Sequence, residues 1–371
     1  MMNCAPTSAS PLGGRNKSSR NTINLASFNL TKAVSIILII VFHTFGRYDH
    51  TQSTVLMLFS YLYVCFGTGI LTVFFLITGL GLKKSAPGKL LKKTASNLLM
   101  PYLYVTAAYA FLYPVIHYLV SGSAQAAIMN TARYVAAFLL GYARYGNVVF
   151  GHMIYWCTAT WYLLATFWAI NILNLILHIK NKFTQLATVL LCAMVGNYLF
   201  SIEFFYFSIA QGLRAVGYLY LGYMLYQTEN LLRLKNNFWT YIALIPVFLL
   251  QMKFTLLDNT VFVNVVLEYF GSIGTALLLL FVTMFISDRN WKCIDSIKTV
   301  GIYSYWVIAV HCAEMDVLPW YLLPQHFSSN HLLAFVIELV LKACIISLSC
   351  VLLKKITKLK YKRKLRRLKR G

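Results

Sequence analysis

The sequence is short of charge, and shortest of negative charge: 12% of its 371 residues are charged, and 10 Asp and Glu stand against 33 Lys and Arg. An ordinary soluble domain carries about a quarter charged residues. With 59% hydrophobic residues and a mean hydropathy of +0.66, no stretch has the mixed texture from which a soluble domain is built. Eight cysteines are present, but Cys65, Cys157, Cys192, Cys312, Cys344 and Cys350 fall in or beside apolar runs, and only Cys4 and Cys293 lie in polar segments. None pairs with another at metal-ligand or disulfide spacing, so the thiols read as small apolar fillers. A Gly-rich phosphate loop, a GxSxG elbow and a metal-ligand cluster are all missing, which removes three common signatures of enzyme sites. Residues 1–27 lack the apolar core and small-residue cleavage site of a signal peptide, so the amino terminus is expected to stay uncleaved.

What is present is a series of apolar runs of the length that crosses a hydrocarbon core, roughly 17–25 residues each. They lie at 28–47, 55–82, 98–120, 155–178, 184–201, 212–227, 238–254, 262–287, 298–317 and 332–353. The expected fold is therefore all-α: a polytopic integral membrane protein of about ten transmembrane helices. A shorter apolar patch, Ala136 to Leu140, is expected at the interface.

A net charge of +23 suggests nucleic acid only until the basic residues are located. With the amino terminus inside, 26 of the 33 Lys and Arg fall on inner segments. Only Arg47, Arg133, Arg144 and Lys253 fall outside, and Lys32, Arg214 and Lys342 lie within spans. Cytoplasmic loops are enriched in both residues, so both termini are expected in the cytoplasm and no nucleic acid is implied. The chain divides into a polar cytoplasmic leader (1–27), a transmembrane domain (28–353) and a basic cytoplasmic tail (354–371), the tail facing anionic membrane lipid.

An ionisable group inside a span costs about 2.5–3.5 kcal/mol on insertion scales and calls for a partner, a wet cavity or a role. The first span has two such groups, Lys32 and His43, in LTKAVSIILIIVFHTFG. Eleven residues bring the helix back within roughly 20° and advance it about 16 Å, so the two side chains share one face. A cation near the cytoplasm and an imidazole most of a span away suit a reaction whose donor enters from inside and acceptor from outside. Neutral imidazole can take a proton from a hydroxyl near neutral pH. The plainer alternative has Lys32 snorkelling to the interface and His43 bonding a neighbouring helix.

Arg214, in the outer half of the sixth span, cannot lose its charge and needs an anion or a polar cavity; Glu203, Glu268 and Glu314 are candidate partners. Glu338 and Lys342, four residues apart in the last span, most simply neutralise each other. His311 lines the same cavity or caps a helix end, and Trp156, Trp161 and Trp168 read as anchoring or packing residues.

The run FNLTKAVSIILIIVFHTFG, Phe28 to Gly46, resembles the opening helix of the membrane acyltransferase 3 family, where a basic residue, usually arginine, precedes a histidine by eleven positions. VFFLITGLGL at 73–82, LLMPYLYV at 98–105, WYLLATFW at 161–168, RAVGYLYLGYML at 214–225 and GIYSYWVIAVH at 301–311 are similar to later family segments, in order. Two departures stand out. Lysine occupies position 32, and Thr94 and Asn97 stand where many members carry an Arg-x-x-Arg pair, with Lys92 and Lys93 close by.

The resemblance implies transfer of an acyl group, often acetyl, from cytoplasmic acyl-CoA to an outer hydroxyl, commonly of an envelope or surface polysaccharide or glycolipid. His43 is then the expected catalytic base, with Lys32 supporting and Arg214 a candidate oxyanion donor. Lys83, Lys84, Lys89, Lys92 and Lys93 are the expected docking site of the acyl-CoA, with no metal required. The expected location is the cell membrane, and acceptor specificity is placed in 121–154, with Arg144, Tyr145 and His152. A transporter or exporter of a lipid-linked sugar, or a non-catalytic relative, stays open as the alternative.

Overall fold

A backbone in hydrocarbon must satisfy its own N–H and C=O groups, which a helix does within one segment, and helices account for most of the described residues. The structure, a computed structural model, describes residues 28–67, 69–144, 147–149, 151–228, 230–254, 261–287, 289 and 291–368. The leader 1–27 with Cys4, and also Tyr145 and Asp258, lie outside the described residues, as do the side chains of Lys253, Cys293, Cys350 and most of the basic tail.

The first helix, α1 (Phe28–Phe45), is followed by α2 (Thr54–Phe66) and α3 (Gly69–Leu80), which meet at an angle of 44°. Next come α4 (Pro87–Thr94) and α5 (Met100–Ser121), joined by a π-helical turn over Ala95–Leu99, and then α6 (Ala124–Leu139). A small antiparallel hairpin, β1 (Asn147–Val149) and β2 (His152–Ile154), sets Val148 opposite Met153. Beyond it lie α7 (Trp161–Ile176), α8 (Lys182–Ser201), α9 (Ile209–Gln227), the short α10 (Asn230–Lys235) and α11 (Phe238–Phe254). The chain finishes with α12 (Val261–Ser287), α13 (Lys292–Ile302), α14 (Ser304–Val317), α15 (Leu322–His326) and α16 (His331–Leu368).

Local chemistry sets several of these boundaries. Ser53, Ser123 and Asn181 accept hydrogen bonds from the first free N–H groups of α2, α6 and α8. Pro87 opens α4, where a missing N–H costs nothing. Gly122, at φ +67°, closes α5 in the left-handed conformation that glycine adopts without strain.

Among the described residues, six helices are long and apolar enough to cross a membrane, and a seventh span results if α2 and α3 count as one. Each remaining expected span coincides with a helix that is short or more polar. The apolar part of α11 covers only Phe238–Leu250, the region 298–317 is divided between α13 and α14, and α9 carries Gln211 and Arg214. Large apolar side chains such as Phe111, Leu119, Phe183 and Trp239 are more than 70% exposed. Water tolerates no such belt on a monomer, whereas lipid requires one. The chain is a multi-pass membrane protein.

Inside the bundle, small residues let backbones approach. A β-carbon on Gly79 would fall on the Leu219 carbonyl, and one on Gly222 would fall on that of Leu76, so α3 and α9 are locked together by two glycines. The thiols of Cys157 and Cys312 are free and fully buried in this core.

Candidate active site

Among the described residues, eight helices open onto one cavity of about 950 Å³: α1, α2, α3, α7, α8, α9, α12 and α14. The end of α1 contributes His43 and, just beyond, Arg47; the first turns of α9 and α12 contribute Arg214 and Glu268; and α14 contributes His311 and Asp316. The walls from α3 and α7 are largely apolar and aromatic, with Leu71, Phe75, Trp161 and Tyr162. A few polar groups thus converge on a largely apolar chamber, the usual composition of a small-molecule site.

His43 is half-buried and faces this cavity. Its ring centre lies 5.6 Å from that of His311, tilted by 45°. Lys32 does not reach the chamber: its ammonium donates to Asn29 Oδ1 at 3.4 Å at the opposite end of α1. Both residues lie in the one continuous helix α1, but of the two only the imidazole lines the space.

Arg214 lies 3.9 Å from Glu268, and its guanidinium sits 4.2 Å from the centre of the Phe200 ring. Of the three candidate partners, Glu268 is the one chosen. Glu203 pairs instead with Arg144, and Glu314 with His311 and Lys342. Arg214 Nε and Gln211 Oε1, one turn apart at the chamber wall, are buried with no partner among the described residues. Two donor and acceptor positions therefore remain for a ligand.

Behind the chamber runs a buried ionic chain. Glu338 accepts from Arg47 at 3.1 Å and from the Tyr48 hydroxyl at 2.6 Å, and it holds Lys342 at 3.0 Å. Lys342 reaches Glu314 at 3.4 Å, and Glu314 bonds His311 Nδ1 at 2.7 Å and accepts from the Trp320 indole at 2.5 Å. The expected Glu338–Lys342 pair is present, but as the middle of a longer network. Glu314 is buried within α14, as a charge may be when it is paired and hydrogen-bonded.

Lys83, Lys84, Lys89, Lys92 and Lys93 are all exposed, on α4 and the turn before it. They lie at the far end of α3 from Gly67 and Leu71, which line the chamber. Arg144 is at the chamber rim, while His152 is exposed on the hairpin away from it. Trp156 and Trp161, read from sequence as anchoring or packing residues, line the chamber, as do Arg47 and Gln211. No spacing signal marks these four, since each reaches the site from a different element. Among the described residues no group of His, Cys, Asp and Glu is arranged to hold a metal.

A helical membrane bundle with paired imidazoles, an arginine and spare hydrogen-bonding groups around a largely apolar chamber defines a class: a membrane-embedded enzyme. The chain matches the family model described as an acyltransferase domain over residues 25–354, and it belongs to the acyltransferase 3 family. No curated protein and no solved structure matches it. The protein is an acyltransferase, a transferase of groups other than aminoacyl groups.

Proposed function

We propose that the enzyme moves an acyl group, acetyl in the simplest case, from cytoplasmic acyl-CoA to a hydroxyl of an envelope or surface polysaccharide or glycolipid, at the chamber around His43. The observation that carries this reading is the position of His43, half-buried and facing a 950 Å³ cavity among arginine, glutamate and amide groups. The imidazole takes the proton of the acceptor hydroxyl as its oxygen attacks the thioester carbon. The C–O bond forms, the C–S bond breaks and the sulfur departs as thiolate. Arg214 is suited to stabilise the oxyanion that develops between these events. An acyl-histidine intermediate is a variant of the same scheme.

The reading includes a topology of ten spans with both termini in the cytoplasm of a cell-membrane protein, flanked by a leader (1–27) and a basic, lipid-facing tail (354–371) around the 28–353 domain. The charged and imidazole side chains of the chamber, His43, Arg47, Arg214, Glu268, His311 and Asp316, sit at the helix ends that the Lys and Arg distribution assigns to the outside. Lys83, Lys84, Lys89, Lys92 and Lys93 crowd the opposite end, where the phosphates of acyl-CoA would find point charges. Lys32, also at that end, guards the inward path of the donor.

The test is release of free thiol from acetyl-CoA by purified protein in detergent, with methyl hexopyranosides as acceptors. Turnover above that of denatured protein is the expected result. Flux of a lipid-linked sugar across vesicles with no thiol release would replace this reading with transport.

A further inference from the structure

His311 has the environment of an oriented imidazole. Its Nδ1 bonds Glu314 Oε1 at 2.7 Å, so the proton of the neutral ring resides on that nitrogen and Nε2 carries the lone pair. Glu314 is held in turn by the Trp320 indole at 2.5 Å and by Lys342 at 3.4 Å, and both His311 and Glu314 are no more than 5% exposed. Nε2 is buried and has no partner among the described residues. A buried acceptor left empty costs roughly 1–3 kcal/mol unless something fills it. The ring nearest to hand is that of His43, with centres 5.6 Å apart, a spacing at which two ring nitrogens turned toward each other stand roughly 3.3 Å apart, at the long end of hydrogen-bonding distance.

We propose that Glu314, His311 and His43 form a relay in which His311 Nε2 receives the N–H of His43. This inference rests on the reading of His43 as the base. The bond fixes the tautomer of His43 so that its other nitrogen presents a lone pair to the acceptor hydroxyl. When that nitrogen takes the hydroxyl proton, His43 passes its first proton to His311 Nε2, and the Glu314 carboxylate balances the imidazolium that results. The alkoxide oxygen bonds the acyl carbon, the sulfur leaves as thiolate, and His311 later returns its proton through His43 to water in the chamber. His311 is a positioning residue, since it acts through His43 and its Nε2 is closed to the substrate. The other charged groups facing the relay are Arg47 and Asp316 from the chamber and Lys342 from α16.

The experiment compares His311→Ala, His311→Gln and Glu314→Gln with the unaltered full-length protein in detergent, reading thiol release from acetyl-CoA with methyl hexopyranosides present. A glutamine amide oxygen can accept from His43 but cannot carry a proton. The expected order of kcat is therefore unaltered protein, then His311→Gln, then His311→Ala, with the last down about 100-fold and KM for acetyl-CoA within about 2-fold. Free imidazole at millimolar concentration should restore part of the His311→Ala rate, an effect that a packing defect would not show. Size-exclusion elution identifies any variant that fails to fold, and the His311→Gln and Glu314→Gln rates then carry the test. If His43→Ala is inactive while every His311 and Glu314 variant that folds keeps full kcat, the relay is overturned and the reading of His43 stands. If His43→Ala is also fully active, or if the unaltered protein releases no thiol, both fall together.

Discussion

The Arg47 guanidinium and the Glu338 carboxylate, 291 residues apart in the chain, meet at 3.1 Å, with Glu338 fully buried. The contact ties the carboxyl-terminal end of the first helix to the last helix, beside the chamber that His43 faces. Tyr48 and Lys342 complete the shell of Glu338, so one carboxylate satisfies three donors, two from the turn after α1 and one from α16. Removal of one partner from such a network leaves the others buried and unbalanced, which is far costlier than never having built it.

Glu338→Ala is accordingly expected to destabilise the protein by about 3–5 kcal/mol. Thermal unfolding in detergent, followed by tryptophan fluorescence, reads the change. A melting temperature within about 2 °C of the unaltered protein would show that the network does not hold the fold.

His43→Ala should lower acyl transfer by at least about 100-fold, the contribution typical of a general base. Membrane insertion and abundance should be unchanged, because His43 makes no ion pair among the described residues and faces a cavity rather than a packed neighbour. Immunoblotting of membrane fractions beside the thiol assay separates the two effects, and normal turnover would remove His43 from the mechanism.

Arg214→Lys keeps the charge but gives up the planar fork stacked on Phe200 and its reach to Glu268. Turnover is expected to fall about 10-fold or more with little change in KM for acyl-CoA, the pattern of an interaction made mainly in the transition state. A rise in KM alone would assign Arg214 to ground-state binding.

Glutamate in place of both Lys92 and Lys93 should raise KM for acyl-CoA severalfold and leave kcat at saturation nearly intact, since both lysines are exposed and far from the chamber. The unaltered KM should itself rise with added salt, as screening weakens exposed charge pairs. A KM indifferent to both changes would move the donor site elsewhere.

Gly222→Val inserts a branched side chain where α9 touches the Leu76 carbonyl of α3. Overpacking of this kind costs about 1–3 kcal/mol or more, and the chamber residues on both helices move apart with it. Loss of stability together with activity is expected. An unchanged melt would mean that the two helices separate without strain.

Much of this protein is legible along the chain. The apolar runs, the confinement of lysine and arginine to alternate segments, and the placing of His43 on a face with a polar role all depend on composition and helical period, which are local quantities. The order of family segments, from Lys32 and His43 to His311, is a property of the chain as well. The partners of the charged groups are not. Three glutamates were available to Arg214, and only the packing of α9 against α12 selected Glu268, sending Glu203 to Arg144 and Glu314 to His311 and Lys342. The chamber membership of Arg47, Trp156 and Gln211 was decided in the same way. The physical reason is that a lipid-facing surface is as apolar as the bundle interior, so hydrophobic period does not tell one face of a membrane helix from another. Rotation and neighbours are set by close backbone packing, such as that at Gly79 and Gly222, and by which buried charges can meet, and both exist only once the helices have assembled.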